Sequence, residues 1–183
     1  IVGAGPAGTI ASLFLAKEGV SCLLADKAEF PRDKICGDGI SGWVLTVLNE
    51  LGEDLLYRLA DQPFLLHSYG IRIVAPNFRE LNLPFLDDKM FKKGLPPGFI
   101  GRRIDFDNFL IGEVKKQKTV QLIENTEITD YKRDNNGIVL TTATGESIHA
   151  KLAIFAGVAT SRFMKDPGGI IKDKKLTMTG IKT

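Results

Sequence analysis

Two short apolar runs flank a glycine-rich turn at the start of the chain, "IVGAGPAGTIASLFLAKEGVSCLLADK", and the pattern beyond them decides the fold class. From Pro6 to Glu18 the apolar residues Ile10, Leu13 and Leu15 recur among small ones, which predicts a helix, and Gly19 supplies its stop. Val20–Ala25 is a short apolar strand that ends at Asp26. Strand, tight turn, helix and strand make a βαβ unit. A polar loop, "KAEFPRDKICGDG", leads to helices predicted over Ser41–Leu51 and Glu53–Ala60. From Phe64 to Leu86 the period changes, because "YGIRIVAPNFRELNLPF" alternates on both sides of Pro76-Asn77 as a hairpin does. The run "GRRIDFDNFLIGEVKKQ" returns to helical spacing through Phe106, Phe109, Leu110 and Val114. Several strands follow, punctuated by turns at Asn136-Gly137 and Thr144-Gly145, and they include a strand at Leu152–Ala156. The closing "KKLTMTGIKT" reads as the start of one more strand.

Composition narrows the picture. With 183 residues, 44% apolar and 25% charged, the chain is globular, and no stretch approaches the roughly 18 consecutive apolar residues of a membrane span. A net charge of +2 creates no broad field for nucleic acid, so no such partner is expected and any phosphate must be held locally. Cys22 and Cys36, with His67 and His149, show neither a disulfide framework nor metal-ligand spacing. A reducing, cytoplasmic setting and no metal site are therefore expected. Both histidines read as surface or packed residues, and the "KDKK" run at Lys172–Lys175 as a solvated turn. The apolar start has no basic region before it and does not read as a signal peptide. Only Ile1 and Val2 precede the turn, so the expectation is that the numbering begins inside a longer natural protein.

The glycines carry the first chemistry. Gly3, Gly5 and Gly8 form G-x-G-x-x-G after a strand and at the opening of a helix, with the acidic Asp26 at the end of the next strand. Gly3 permits the tight turn, Gly5 lets backbone N–H groups reach a pyrophosphate, and Gly8 lets the helix pack on the strand. The turn Gly3, Ala4, Gly5, Pro6, Ala7 and Gly8 is thus the candidate phosphate site, strengthened by the unpaired donors of the helix N-terminus. Asp26 is placed to accept hydrogen bonds from an adenosine ribose, with Lys27 beside it. The unit alone leaves NAD and FAD open.

Later motifs separate the two. "FPRDKICGDG" resembles the P-R-x-K-x-C-G-x-G segment of the geranylgeranyl reductase family of flavoproteins, through Pro31, Arg32, Lys34, Cys36, Gly37 and Gly39. "RIDFDNFL" is similar to the R-x-x-F-D-x-x-L signature of the same class, through Arg103, Phe106, Asp107 and Leu110. The resemblance implies FAD and an α/β fold, a Rossmann-type FAD-binding domain with a β-meander, interrupted by part of an antiparallel substrate domain. Residues 1–62 and 99–165 would form the FAD domain, while 63–98 would begin the substrate domain and 166–183 re-enter it. It also implies cofactor contacts for Arg32, Cys36, Gly37 and Arg103. Cys36 would lie beside the isoalloxazine as the catalytic candidate, orienting substrate or delivering a proton through its S–H. From the residues alone, Arg103 reads equally as a solvated charge, and Cys36 reads first as a small packed residue.

Two departures from that family pattern stand out. Where relatives carry A-D-G-x-x-S, this chain has "AGVATS", so Gly157 and Val158 replace Asp and Gly while Ser161 remains. No carboxylate role transfers to that site. The family's second FAD motif, a G-D pair, is expected beyond Thr183.

The functional expectation is an FAD-dependent oxidoreductase that reduces carbon–carbon double bonds of an apolar, isoprenoid-type substrate. Two alternatives remain open. One is an FAD monooxygenase or halogenase on the same scaffold, for which the single Trp43 supplies no W-x-W pair. The other is a dinucleotide-binding module without turnover. No second G-x-G-x-x-G is present for a donor, so NAD(P)H or a small redox protein would dock transiently. An apolar substrate adds the expectation of peripheral membrane contact, although no basic amphipathic helix is evident.

Overall fold

The computed structural model describes residues 1–157 other than 37 and 87, together with Phe163. Its elements in chain order are α1 (Pro6–Lys17), β1 (Cys22–Ala25), β2 (Gly39–Ile40), α2 (Gly42–Leu51), α3 (Glu53–Ala60), β3 (Leu66–Ser68), β4 (Gly70–Val74) and β5 (Glu80–Pro84). There follow α4 (Asp88–Lys92), β6 (Gly98–Ile100), α5 (Arg103–Lys115), β7 (Val120–Ile123), β8 (Ile128–Asp134), β9 (Gly137–Thr142) and β10 (Ser147–Ala150). The described residues divide into two compact units, 1–33 with those from 107 onward, and 34–106. The closing run expected to begin a further strand lies outside the described residues.

The first unit is built on parallel pairing. β1 pairs with β7 in the register Leu24↔Leu122, while Val2 bridges Ala25 on one side and Phe155 on the other, all parallel. The spatial order is therefore Phe155, Val2, β1, β7, with α1 as the crossover from Val2 to β1. The expected strand at Leu152–Ala156 is reduced to this bridge, flanked by bonds from the Val2 N–H to the Ile154 carbonyl and from the Ala156 N–H to the Val2 carbonyl. β10, β9 and β8 form an antiparallel meander in that order. Its inner face places Ile128, Ile138 and Leu140 with Phe163 in one cluster, against Tyr131 and Phe155.

The face that α1 buries differs from the expectation. Gly8, Thr9, Ser12 and Leu13 are buried, while Ile10 and Leu15 are only half-buried. Close approach of helix to strand leaves room for small side chains only, and the hydroxyls of Thr9 and Ser12 bond carbonyls of their own helix. The strand also starts later than the apolar run suggests. The Gly19 N–H bonds the Ala16 carbonyl and the Val20 N–H bonds the Leu15 carbonyl, with Gly19 at φ +71°. Val20 is thus part of the helix cap, and pairing begins at Cys22.

In the second unit, β2, β6 and β3 form a small antiparallel sheet, with Ile40 and His67 opposite Phe99. α2 and α3 bury Leu45, Leu48, Leu55, Leu56 and Leu59. The expected hairpin is present as β4 and β5, with Ile71 opposite Leu83 and Ile73 opposite Leu81. Every residue of both strands is exposed.

Candidate functional site

The three glycines of the opening turn are in three different situations. Gly3 has φ +102°, and a Cβ there would lie 2.9 Å from the Ala156 carbonyl oxygen. A Cβ on Gly8 would run into the Gly3 carbonyl oxygen itself. The protein's own packing therefore requires glycine at both positions. Gly5 has an ordinary backbone, φ −69° and ψ −179°, and its Cβ would meet only the Arg32 guanidinium, Nη2 at 3.5 Å. Its missing side chain leaves a cradle that the fold itself does not fill.

Gly5 is also the N-cap of α1. Pro6 occupies the first turn, no side chain among the described residues caps the helix, and the first turn holds no acidic residue. Ala7 is exposed and Ala4 fully buried. Such a helix start presents backbone donors and a partial positive charge.

Asp26 closes the turn from the end of β1. Its Oδ2 accepts the Ala4 N–H at 2.6 Å, and its Oδ1 accepts the Ala28 N–H at 2.9 Å. Asp26 is buried, and through these two bonds it holds the turn against the strand. Each oxygen retains a further acceptor position, the capacity that ribose hydroxyls would use. Lys27 beside it is exposed.

Arg32 comes to the same turn from the polar loop. Its guanidinium lies 4.8 Å from the centre of the Phe30 ring and 3.4 Å, through Nη1, from Oδ2 of Asp107 on α5. Asp107 stands within the R-x-x-F-D-x-x-L motif, whose spacing assigns it no role of its own. Its signal was a carboxylate on the buried face of α5, which also holds Phe106, Leu110, Ile111, Glu113 and Val114.

In the second unit, Cys36 and Arg103 are both half-buried, and Gly37 lies outside the described residues. The two motif segments meet there through Asp38. Its carbonyl accepts the Gly101 N–H at 2.9 Å, and its Oδ1 accepts the Arg103 N–H at 3.4 Å, at the start of α5. An anionic side chain at a helix N-terminus is favourable, and nothing in the sequence spacing announced this contact. Cys22 is a half-buried residue of β1, and burial pushes its thiol pKa up, which disfavours the reactive thiolate.

A parallel βαβ unit with an open glycine at the helix start, followed by an antiparallel meander, defines a dinucleotide-binding fold. Comparison with known proteins agrees, since residues 1–165 match the family described as FAD binding domain. The chain belongs to that FAD-binding family, and FAD is its cofactor. It is 30% identical over 171 residues to digeranylgeranylglycerophospholipid reductase 2 of Methanosphaera stadtmanae, covering 88% of this chain and 39% of the reductase. A shorter match, 48% identical over 52 residues, links 28% of the chain to 13% of the menaquinone reductase of Mycobacterium tuberculosis. The crystal structure of halogenase PltM in complex with phloroglucinol and FAD shares the fold with a TM-score of 0.69 at 17% identity, over 90% of this chain and 35% of that one. The chain thus spans at most 39% of the length of these relatives.

The residues present fit the cofactor. Gly5 leaves the cradle open, the α1 start offers donors, and the Arg32 guanidinium stands beside both, a donor set suited to a pyrophosphate. Among the described residues, no group of three or more His, Cys, Asp or Glu is placed to hold a metal ion. No described helix is long and apolar enough to cross a membrane.

Proposed function

We propose that this chain is the cofactor-binding part of a reductase that saturates carbon–carbon double bonds of an isoprenoid-type lipid. The observation that carries the reading is the likeness to a digeranylgeranylglycerophospholipid reductase along 88% of the chain. The hairpin supports it, because one face of β4 and β5 gathers Ile71, Ile73, Leu81 and Leu83, all 44% exposed or more. That face suits a long apolar substrate better than a polar one. The hairpin would belong to the substrate domain, with residues 63–98 as its start.

The turn from Gly3 to Gly8 takes the pyrophosphate through backbone N–H groups, and Asp26 and Lys27 take the adenosine ribose. Arg32, Gly37 and Arg103 contribute further cofactor contacts. Reduced FAD supplies the hydride. Cys36 holds the proton, and its thiol Sγ gives it to the carbon that does not receive the hydride, so that the double bond gains one hydrogen on each carbon. NAD(P)H or a small redox protein returns electrons, and the apolar substrate brings the protein to a membrane surface.

The test is anaerobic. Full-length protein with its flavin reduced by dithionite is mixed with a geranylgeranyl lipid, and the visible spectrum and product mass are followed. Return of the oxidised flavin spectrum with a gain of two hydrogens per double bond is the expected result. Reoxidation only on admitting oxygen, with a hydroxylated product, would establish the monooxygenase reading instead. Reduced flavin that yields no modified lipid, either anaerobically or on admitting oxygen, would leave a binding module without turnover.

A further inference from the structure

We propose that Asp107 is a positioning residue for the cofactor: it holds the Arg32 guanidinium against Gly5, where that guanidinium meets the pyrophosphate. The inference rests on the reading of the Gly3–Gly8 turn as the phosphate site and adds a residue to it. Asp107 has a side chain with no exposed surface, on the buried stripe of α5. A carboxylate there loses its hydration, and an apolar residue would fill the space without that cost. Among the contacts this carboxylate makes is the one with Arg32, across 75 positions of sequence.

The guanidinium is held from two directions. Nη1 faces Asp107 at 3.4 Å, and Cζ lies over the Phe30 ring, 4.8 Å from its centroid. Nη2, a different edge, is the atom nearest to the empty Cβ position of Gly5, at 3.5 Å. The planar fork has five donors, so a nitrogen tied to Asp107 leaves the edge at Gly5 with its own N–H groups to give.

Electrostatics point the same way. Gly5 caps the N-terminus of α1, whose dipole already makes that end positive, and its first turn has no acidic residue to offset it. A cation brought to this spot works against the helix unless an anion joins it. Asp107 neutralises Arg32 from one side and fixes it, and the pyrophosphate completes the charge balance from the other. Without Asp107 the guanidinium would swing away from α1 into solvent, since its side chain is already 21% exposed.

Flavin-free full-length protein titrated with ADP and with adenosine tests this, because only ADP carries the phosphates. Asp107→Asn and Arg32→Met should each weaken ADP about tenfold or more, the scale of one charge-assisted hydrogen bond, and leave adenosine unchanged. The double variant should bind ADP no worse than Arg32→Met alone, since Asp107 acts through Arg32. Unchanged ADP affinity in Asp107→Asn, parallel loss of ADP and adenosine, or a full additional loss in the double variant would each overturn the assignment. Should Asp107→Asn not fold, Arg32→Lys decides: it keeps the charge but not the fork, and ADP affinity equal to wild type would show that no held orientation matters. Wild-type protein that binds adenosine and ADP equally would instead remove the phosphate site from the turn, and the proposed cofactor reading with it.

Discussion

A methyl group added to Gly8 runs into the Gly3 carbonyl oxygen, whereas one added to Gly5 meets nothing nearer than the Arg32 guanidinium at 3.5 Å. The motif assigns packing to Gly8 and close approach to Gly5, and the space around the two differs in the same sense. Gly8→Ala should therefore destabilise the protein by about 3 kcal/mol, at the upper end for overpacking, because the obstacle is backbone and cannot rotate away. Gly5→Val should leave the unfolding midpoint near wild type, since φ −69° and ψ −179° suit an L-residue, and should abolish measurable FAD binding. Urea unfolding and FAD titration on both variants check this, and equal losses of stability would show that Gly5 too is a packing glycine. At this scale the glycine spacing and Asp26 were legible because they are local. The contact of Arg32 with Asp107 was not, because no spacing rule joins residues 75 positions apart. The carboxylate of Asp26 also has a task the motif does not announce, holding the Ala4 and Ala28 N–H groups.

Elements long enough to show a period were legible, and short ones were not. α3 was placed over Glu53–Ala60, as observed, and the β4–β5 hairpin around Pro76-Asn77. β2, β3 and β6 have two or three residues each, and α4 has five, too few for alternation or a helical stripe to register. In α5 the helical period predicts the element, but one member of the buried face differs. Phe109 is half-buried, and Ile111 at 1% exposure takes the place it was expected to fill. Hydrophobicity names candidates for a face, while the neighbours decide which of two adjacent residues points inward. The consequence is measurable, because Leu110 has no exposed surface. Leu110→Ala should cost about 2–5 kcal/mol in chemical denaturation, more than Phe109→Ala although phenylalanine is the larger residue. The reverse order would mean that α5 is rotated from the orientation described.

At the scale of the whole molecule, the two units divide the chemistry. The groups proposed for the adenosine diphosphate, the Gly3–Gly8 turn, Asp26, Lys27, Arg32 and Asp107, all fall in residues 1–33 or from 107 onward. The apolar hairpin face falls in residues 34–106. Its alternation made the hairpin legible in sequence, but alternation says only that one face is apolar, not what covers it. If an isoprenoid chain lies along that face, each substitution there removes contacts with the substrate and none with the cofactor's phosphates. In full-length protein, Ile71→Ser with Leu83→Ser, a pair directly opposed across the two strands, should then leave ADP affinity unchanged. The same pair should raise KM for a long isoprenoid substrate at least about tenfold, since each lost methylene contact is worth roughly 0.8 kcal/mol. A shortened substrate that does not reach the hairpin should show little change. A lowered melting temperature with KM unaltered would mean instead that polypeptide covers this face, and the substrate would have to be sought elsewhere.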